Sequence, residues 1–384
     1  MKIPFHKPDL PDSLDSIYLP SIRDGWLTTG SVVNQFEDEL KKYLDSEFVI
    51  LLNSCTAGLH LSLLAKGFSK EDEFILPTLT FASTVECGEY LGLKPNLIDS
   101  ADNSFLLDLN KVEDNLKSNN KIKAIIPMHY GGEALNMSEL TLLALKYDVF
   151  IVNDAAHALE TEYQNKKIGN TNFTSAFSFY ANKNLTTGGE GGAVSTNDES
   201  IAKKIKKLSL HGISKDGWHR FKDNGRWEYD ITELGYKYNL TDLSASFGLW
   251  QFKNINKWHN RRKSIAKKYI SRLSNLSGIT LPKSQEGHAW HLFVIRVNLD
   301  EWSITRNEII EKLNKKGIGL AVHYKPIHLL SYYKKNYDLD AENYSNANKL
   351  FNTIISLPIY PSLSNFEVDY ITKTIKELFA EYSI

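Results

Sequence analysis

Between about residues 48 and 200, short β-rich apolar runs alternate with stretches of helical periodicity. Phe48–Leu52 reads as a strand, followed by a helix over TAGLHLSLLAKG (56–67). Phe74–Leu76 is the next strand, and FASTVECGEYLG (81–92) a helix closed by glycine. Pro95–Asp99, Lys123–Met128 and Val149–Val152 continue the strands, with MSELTLLALKYD (137–148) a helix between the last two. SAFSFY (175–180) and GGAVST (191–196) are two more strands, flanking a glycine-rich segment. Strands separated by helices of this length predict βαβ units and a mostly parallel sheet with helices on both faces.

The pattern then changes. Residues 212–232 are rich in Gly, Trp, Arg and Asp and have no clean period, which predicts a long loop of the kind that is usually functional. Asp242–Phe252 and Trp258–Leu273 read as helices. A smaller α/β unit follows: strand HLFVIRV (291–297), helix RNEIIEKLNKKG (306–317), strand IGLAVHY (318–324), helix AENYSNANKLFNTI (341–354), strand SLPIY (356–360) and helix NFEVDYITKTIKELFAEY (365–382). The expected division is a large domain over 1–257 and a small C-terminal α/β domain over 258–384. No internal repeat is visible.

Composition narrows the function classes. The apolar fraction of 42% and charged fraction of 24% suit a globular chain, and a net charge of -1 supplies no basic face for nucleic acid. The basic clusters at Lys203–Lys207 and Arg261–Lys268 fall in helical patterns and read as solvated helix faces. The two cysteines, Cys55 and Cys87, have no partner at metal or redox spacing, which suits a reducing compartment and leaves no metal site. With no signal-like N-terminus and no long apolar run, the expectation is a cytoplasmic protein without a membrane anchor.

Three segments carry candidate chemistry. In SFYANKNLTTGGEGG (178–192), Lys183 stands between two strands, and four of the nine residues after it are glycine. Such glycines let the backbone approach a planar ligand, and a lysine held there can form a Schiff base with an aldehyde; a glycine hairpin with an exposed lysine is the plainer alternative. In IVNDAAH (151–157) an apolar strand ends in Asp154, at the strand end where α/β sheets bind ligands. That carboxylate suits the ring nitrogen of a pyridine cofactor, or else caps the following helix. In NSCTAGL (53–59) a helix starts directly after a strand, offering free N–H groups to a phosphate, although serine and threonine are also ordinary caps there. Together, a lysine, a strand-end aspartate and a helix start are what pyridoxal phosphate requires.

With these residues laid out, the chain resembles the DegT/DnrJ/EryC1/StrS sugar aminotransferases, within the fold-type I pyridoxal-phosphate enzymes. The resemblance runs from about residue 17 to 380. It rests on GWLTTG (25–30), NSCTAGLHL (53–61), PTLTFAST (77–84), MHYGG (128–132), NDAAHA (153–158), SFYANKNLTTGGEGG (178–192), GYKYNLTDLSA (235–245), AVHYKPIH (321–328) and SLPIYP (356–361). GWLTTG and GYKYNLTD look closest to the branch that aminates UDP-linked 4-keto sugars. The resemblance implies that Lys183 is the Schiff-base lysine and Asp154 the ring-nitrogen partner. It places His157 near the phenolic oxygen, Phe81 over the ring face, and Cys55, Thr56 and Ser178 at the phosphate. Cys55 stands where many members have glycine. Asn239 is the candidate contact to the phosphate of an adjacent subunit, with Lys237 second, so the implied unit is a homodimer with shared active sites. Trp26, Thr28, His129, His323 and Tyr324 occupy positions that line the sugar-nucleotide cleft in the family, and buried structural roles suit each equally well.

The implied reaction moves an amino group, with glutamate as the donor, to a nucleotide-linked keto sugar for surface or secondary-metabolite glycans. Lys183 shuttles the proton in both halves. Two other readings stand beside it: a fold-type I enzyme acting on an amino-acid substrate, and a pyridoxal-phosphate-binding regulator that no longer catalyses.

Overall fold

A seven-stranded sheet organises the first two thirds of the chain in the computed structural model, which describes residues 1–23, 25–213, 229–283 and 285–384. Helices α1 (Asp15–Arg23) and α2 (Ser31–Leu44) precede it, and neither was anticipated. α2 is amphipathic: Val33, Phe36, Leu40 and Leu44 recur at helical spacing and are all buried. The alternation then runs β1 (Phe48–Leu52), α3 (Cys55–Lys66), β2 (Glu73–Pro77), α4 (Ser83–Glu89), β3 (Lys94–Ile98), α5 (Leu109–Ser118), β4 (Ile122–Ile125), α6 (Met137–Tyr147) and β5 (Phe150–Asp154). A short hairpin, β6 (Glu162–Tyr163) with β7 (Lys166–Lys167), leads to β8 (Thr174–Ser178), β9 (Gly192–Thr196) and α7 (Glu199–Leu208).

The strand order is β1-β9-β8-β5-β4-β2-β3. β9 pairs antiparallel with both β1 and β8, while β8, β5, β4, β2 and β3 pair in parallel. Six strands therefore share one direction, and their C-terminal ends lie on one edge. β9 runs against them, so its first residue, Gly192, starts at that same edge, opposite Leu52 and Ser178. Both faces are covered. Ile75, Ile125 and Ile151 belong to one buried cluster, and their neighbours Phe74, Leu76, Ala124 and Val152 to another.

In α7, Ile201, Ala202, Ile205 and Leu208 are buried, and Lys203, Lys204 and Lys207 pair outward with Glu199 and Glu233 at 2.6 to 3.1 Å. Helices α8 (Asp242–Lys253) and α9 (Ile255–Leu273) follow. Arg262 in α9 departs from the expected solvated face: it is buried and donates Nη1 to the Ile359 carbonyl at 2.7 Å, because α9 is covered on that side by the returning chain. Of the predicted long loop, residues 214–228 lie outside the described residues, and Ile213 and Ile231 on either side bridge one another.

A three-stranded antiparallel sheet, β10 (Ile279–Thr280), β11 (Phe293–Val297) and β12 (Ile354–Leu357), shares its core with α10 (Arg306–Lys315) and α13 (Asn365–Tyr382), whereas Tyr333 of α11 (Ser331–Asn336) and Ala347 and Leu350 of α12 (Ser345–Thr353) pack into the clusters of the large sheet. The expected strand over 318–324 is not one. Ile318 bridges Ile3 and Ala321 bridges Ser356, so the backbone pairs first with the N-terminal segment and then with β12. Position 257 lies inside α9. The helix's first residue, Ile255, packs with the large sheet, whereas Ile265, Ala266, Tyr269 and Leu273 pack with the second core, which Ile3 joins.

Candidate active site

A cavity of about 590 Å³ opens at the strand edge. β5 delivers Asp154, β8 delivers Ser178, and the β1–α3 junction delivers Ser54, Cys55 and Thr56. The β8–β9 connection delivers Lys183, and the segment that follows α10 and pairs with Ser356 through Ala321 delivers His323 and Tyr324. The Ser54 hydroxyl caps α3 by accepting from Ala57 N at 3.1 Å, which leaves the first amides of the helix for an anion. A Cβ on Gly192 would meet Ser54 C at 2.4 Å and Cys55 N at 2.5 Å, so this glycine is what permits β9 to lie against the helix start.

Asp154 is 2% exposed. Thr84 donates to its Oδ2 at 2.7 Å, and Ala156 N donates to Oδ1 at 3.1 Å. Burial pushes its carboxyl above the usual range, and these two donors and the Lys183 charge oppose that shift. Lys183 is part-buried on the cavity wall, and desolvation brings its amine down to about 8, partly offset by Asp154. The neutral amine that a nucleophile or base requires is therefore a minority near physiological pH, but a far larger fraction than in an ordinary lysine.

His157 is buried, and desolvation, followed by the Lys183 charge, lowers it well below the ordinary value, so its ring is neutral. Its Nδ1 accepts from Gly131 N at 3.1 Å; the hydrogen-bond pattern therefore assigns the ring proton to Nε2, which donates to the Tyr324 hydroxyl at 2.9 Å. Phe81 is 58% exposed at the cavity mouth, with its ring 5.7 Å from that of Tyr324, in position to cover a planar ligand. His323 holds its Nδ1 2.8 Å from Ser356 Oγ, and its backbone carbonyl accepts from the Tyr130 hydroxyl.

Not every expected residue reaches this cavity. His129 is fully buried outside its lining, with Leu135 N donating to Nδ1 at 3.2 Å. Asn239 sits on the free edge of β1, bridged to Leu52, donating to Thr29 Oγ1 at 2.7 Å and accepting from Lys237 Nζ at 2.7 Å. Trp26 donates to the Thr29 carbonyl at 3.0 Å, and the Thr28 carbonyl accepts from Asp242 N at 3.1 Å, so both belong to that edge group. Conversely, Thr84, Ser54, Tyr180 and Asn182 were missed. For Thr84 a signal existed: Thr80 and Thr84 are four residues apart at a helix start, and their hydroxyls lie 2.7 Å from one another beside Asp154.

The donor set fits pyridoxal phosphate: a buried carboxylate for a ring nitrogen, an amine for an aldehyde, and a helix start with a glycine-dependent close approach for a phosphate. This fold and site define a fold-type I pyridoxal-phosphate enzyme. The chain belongs to the DegT/DnrJ/EryC1/StrS aminotransferase family, whose profile matches residues 18–376. It is 38% identical to the spore coat polysaccharide biosynthesis protein SpsC of Bacillus subtilis, over 93% of this chain and 92% of that one. It is 32% identical to the UDP-4-amino-4-deoxy-L-arabinose–oxoglutarate aminotransferase of Shewanella sediminis, over 98% of each. Among solved structures, Spr1654 of Streptococcus pneumoniae, assigned as a sugar aminotransferase, superposes in its PMP form with a TM-score of 0.92 and 33% identity, covering 99% of this chain and 100% of that one. Its PLP form gives 0.91. Among the described residues no helix is long and apolar enough to cross a membrane, and no cluster could hold a metal ion.

Proposed function

We propose that the chain transfers an amino group from glutamate to the keto carbon of a UDP-linked 4-keto sugar, in the cytoplasm, for the synthesis of a surface or secondary-metabolite glycan. The observation that carries this reading is the meeting of Lys183, Asp154 and the α3 start in one cavity. The relatives support the substrate class. One is named for oxoglutarate and a UDP-amino sugar, another for a coat polysaccharide.

Pyridoxal phosphate bound there supplies an aldehyde and an electron-accepting ring. Asp154, fixed by Thr84 and Ala156 N, holds the ring nitrogen's proton through its charge. Cys55, Thr56 and Ser178 would hold the phosphate at the helix start, Phe81 would cover the ring face, and His157, with Tyr324 bonded to it, would stand at the phenolic oxygen's side. The neutral Nζ of Lys183 takes the proton from glutamate's α-carbon, and in the second half it returns one to the sugar carbon that bore the carbonyl. Glutamate leaves as 2-oxoglutarate and the keto sugar as the amino sugar. His323 and Tyr324 face the sugar. Asn239, with Lys237 as second choice, serves the phosphate of a neighbouring subunit. Its place outside its own chain's cavity, together with Trp26 and Thr28, supports a homodimer with shared sites.

The test is release of 2-oxoglutarate from glutamate with purified protein and UDP-, dTDP- or GDP-linked keto sugars. The UDP-linked 4-keto sugar should turn over fastest, and Lys183→Ala should lose both turnover and the visible absorbance of a lysine-linked cofactor. Turnover confined to amino-acid acceptors would overturn the reading.

A further inference from the structure

The residue after Lys183 is held more firmly than Lys183 itself. Asn184 is buried and donates Nδ2 to Glu160 Oε2 at 3.0 Å and to the Ala289 carbonyl at 3.1 Å. Two acceptors on one side fix the amide's orientation, so Oδ1 must accept from His291 Nδ1 at 3.2 Å. Burial keeps His291 neutral, and this bond places its proton on Nδ1. The His291 ring then lies 4.3 Å, centroid to centroid, from that of His157.

Ala289 and His291 belong to the stretch Gly287–Leu292, which arrives from the C-terminal part of the chain. The same stretch grips the Gly131–Gly132 turn: Ala289 N donates to the Gly132 carbonyl at 3.0 Å and Leu292 N to the Gly131 carbonyl at 3.1 Å. Gly131 N in turn orients His157. One short segment therefore touches both the side chain of the residue next to Lys183 and the turn that orients His157. A Cβ on Gly132 would lie 2.8 Å from Ala289 Cβ and 3.1 Å from Trp290 N, which shows how closely the two backbones approach.

We propose that Asn184 and His291 are positioning residues for the reaction: bonded to one another, they lock Lys183 in register with His157 through the Gly287–Leu292 segment. This rests on the reading of Lys183 as the reactive amine. Without Asn184, the Lys183 loop loses three ties at once. The lysine nitrogen can then leave its desolvated place and admit water, which favours its protonated form whether it is free or linked to the cofactor.

The experiment is a pH titration of the visible spectrum of the holoenzyme, read beside kcat, KM and the melting temperature. In Asn184→Ala the spectral midpoint should rise by ~0.5 pH unit or more, about threefold in the protonation constant. kcat should fall roughly 10- to 100-fold, as expected for a small misplacement of a reacting group, with KM for glutamate nearly unchanged. His291→Phe should reproduce this, and His291→Gln, which keeps a donor, should recover most of it. Asn184→Asp places a carboxylate against Glu160 and should be worse, and Glu160→Gln added to it restores a donor and should regain part of the activity. If Asn184→Ala does not fold, His291→Phe and the Asn184→Asp, Glu160→Gln pair carry the same readouts. A lower melting temperature with the wild-type midpoint and kcat would assign the clamp to stability alone and overturn the proposal. A wild-type protein with no lysine-linked spectrum would instead sink the functional reading beneath it.

Discussion

Tyr324 and His157 share a hydrogen bond of 2.9 Å whose direction is set from the other side of the imidazole, where Gly131 N occupies Nδ1. His157 is therefore the donor and Tyr324 the acceptor. Tyr324→Phe removes that acceptor and strands a buried N–H, at a cost of about 1–3 kcal/mol. kcat should drop roughly tenfold or more with little change in KM, measured in steady state. A wild-type kcat would mean that the bond has no part in the reaction.

Asp154 and Thr84 should separate in size of effect. Asp154→Asn removes the buried charge proposed to face the ring nitrogen, about 3–5 kcal/mol, and kcat/KM should fall by two orders of magnitude or more. Thr84→Val removes one hydrogen bond to that charge, about 1.5–3 kcal/mol, and the loss should be about tenfold to a hundredfold. Equal losses would contradict the assignment of Thr84 as support for Asp154.

Lys183 gives a pH-dependent stability prediction. In the unfolded chain its amine keeps its proton up to the ordinary 10.5, whereas in the folded chain it is released at about 8. Between these values the unfolded state binds more protons, so this group makes stability rise with pH, and its penalty is fully present below 8. In cofactor-free protein, Lys183→Met should raise stability by on the order of 2 kcal/mol near neutrality, with the gain fading towards about pH 10. Melts of both proteins at the two pH values check this. A gain that grew with pH would refute it.

Gly192→Ala should damage the start of α3, the proposed phosphate end of the site. The new Cβ would press on backbone atoms of Ser54 and Cys55, which cannot move without shifting the start of α3. A destabilisation of about 1–3 kcal/mol is expected, together with a pyridoxal-phosphate Kd weakened about tenfold. Unchanged affinity by cofactor titration would detach this close approach from phosphate binding.

Mixing Lys183→Ala chains with Asn239→Ala chains tests the shared site, once each parent is shown to be impaired and subunits to exchange. In a mixed dimer of shared sites, one site carries both defects and the other neither. Activity should recover towards half of the wild-type value per mixed dimer. No recovery despite exchange would place Asn239 in its own chain's site.

The sequence by itself determined the local grammar. β-rich runs between helical periods specify the parallel α/β core, and the order of Asp154, Lys183 and its glycines specifies a strand-end residue and a loop amine. These are short-range properties, set by side-chain alternation and by which residues a tight turn tolerates. Only the tertiary structure decided what those residues face. The reversed direction of β9, which brings Gly192 to the ligand edge, follows from pairing with β1 and β8, and nothing within GAVST encodes it. The stretch over 318–324 has strand composition, yet Ile318 pairs with Ile3, and Tyr324 is drawn onto His157. His129 and Arg262 look alike as polar residues in a sequence, but packing buries both, the first outside the cavity lining and the second under the returning chain. Thr84 meets Asp154 across 70 residues, and Asn184 meets His291 across 107. Contacts at such separations depend on sheet register and on how the C-terminal part of the chain folds back, and no local period carries that information.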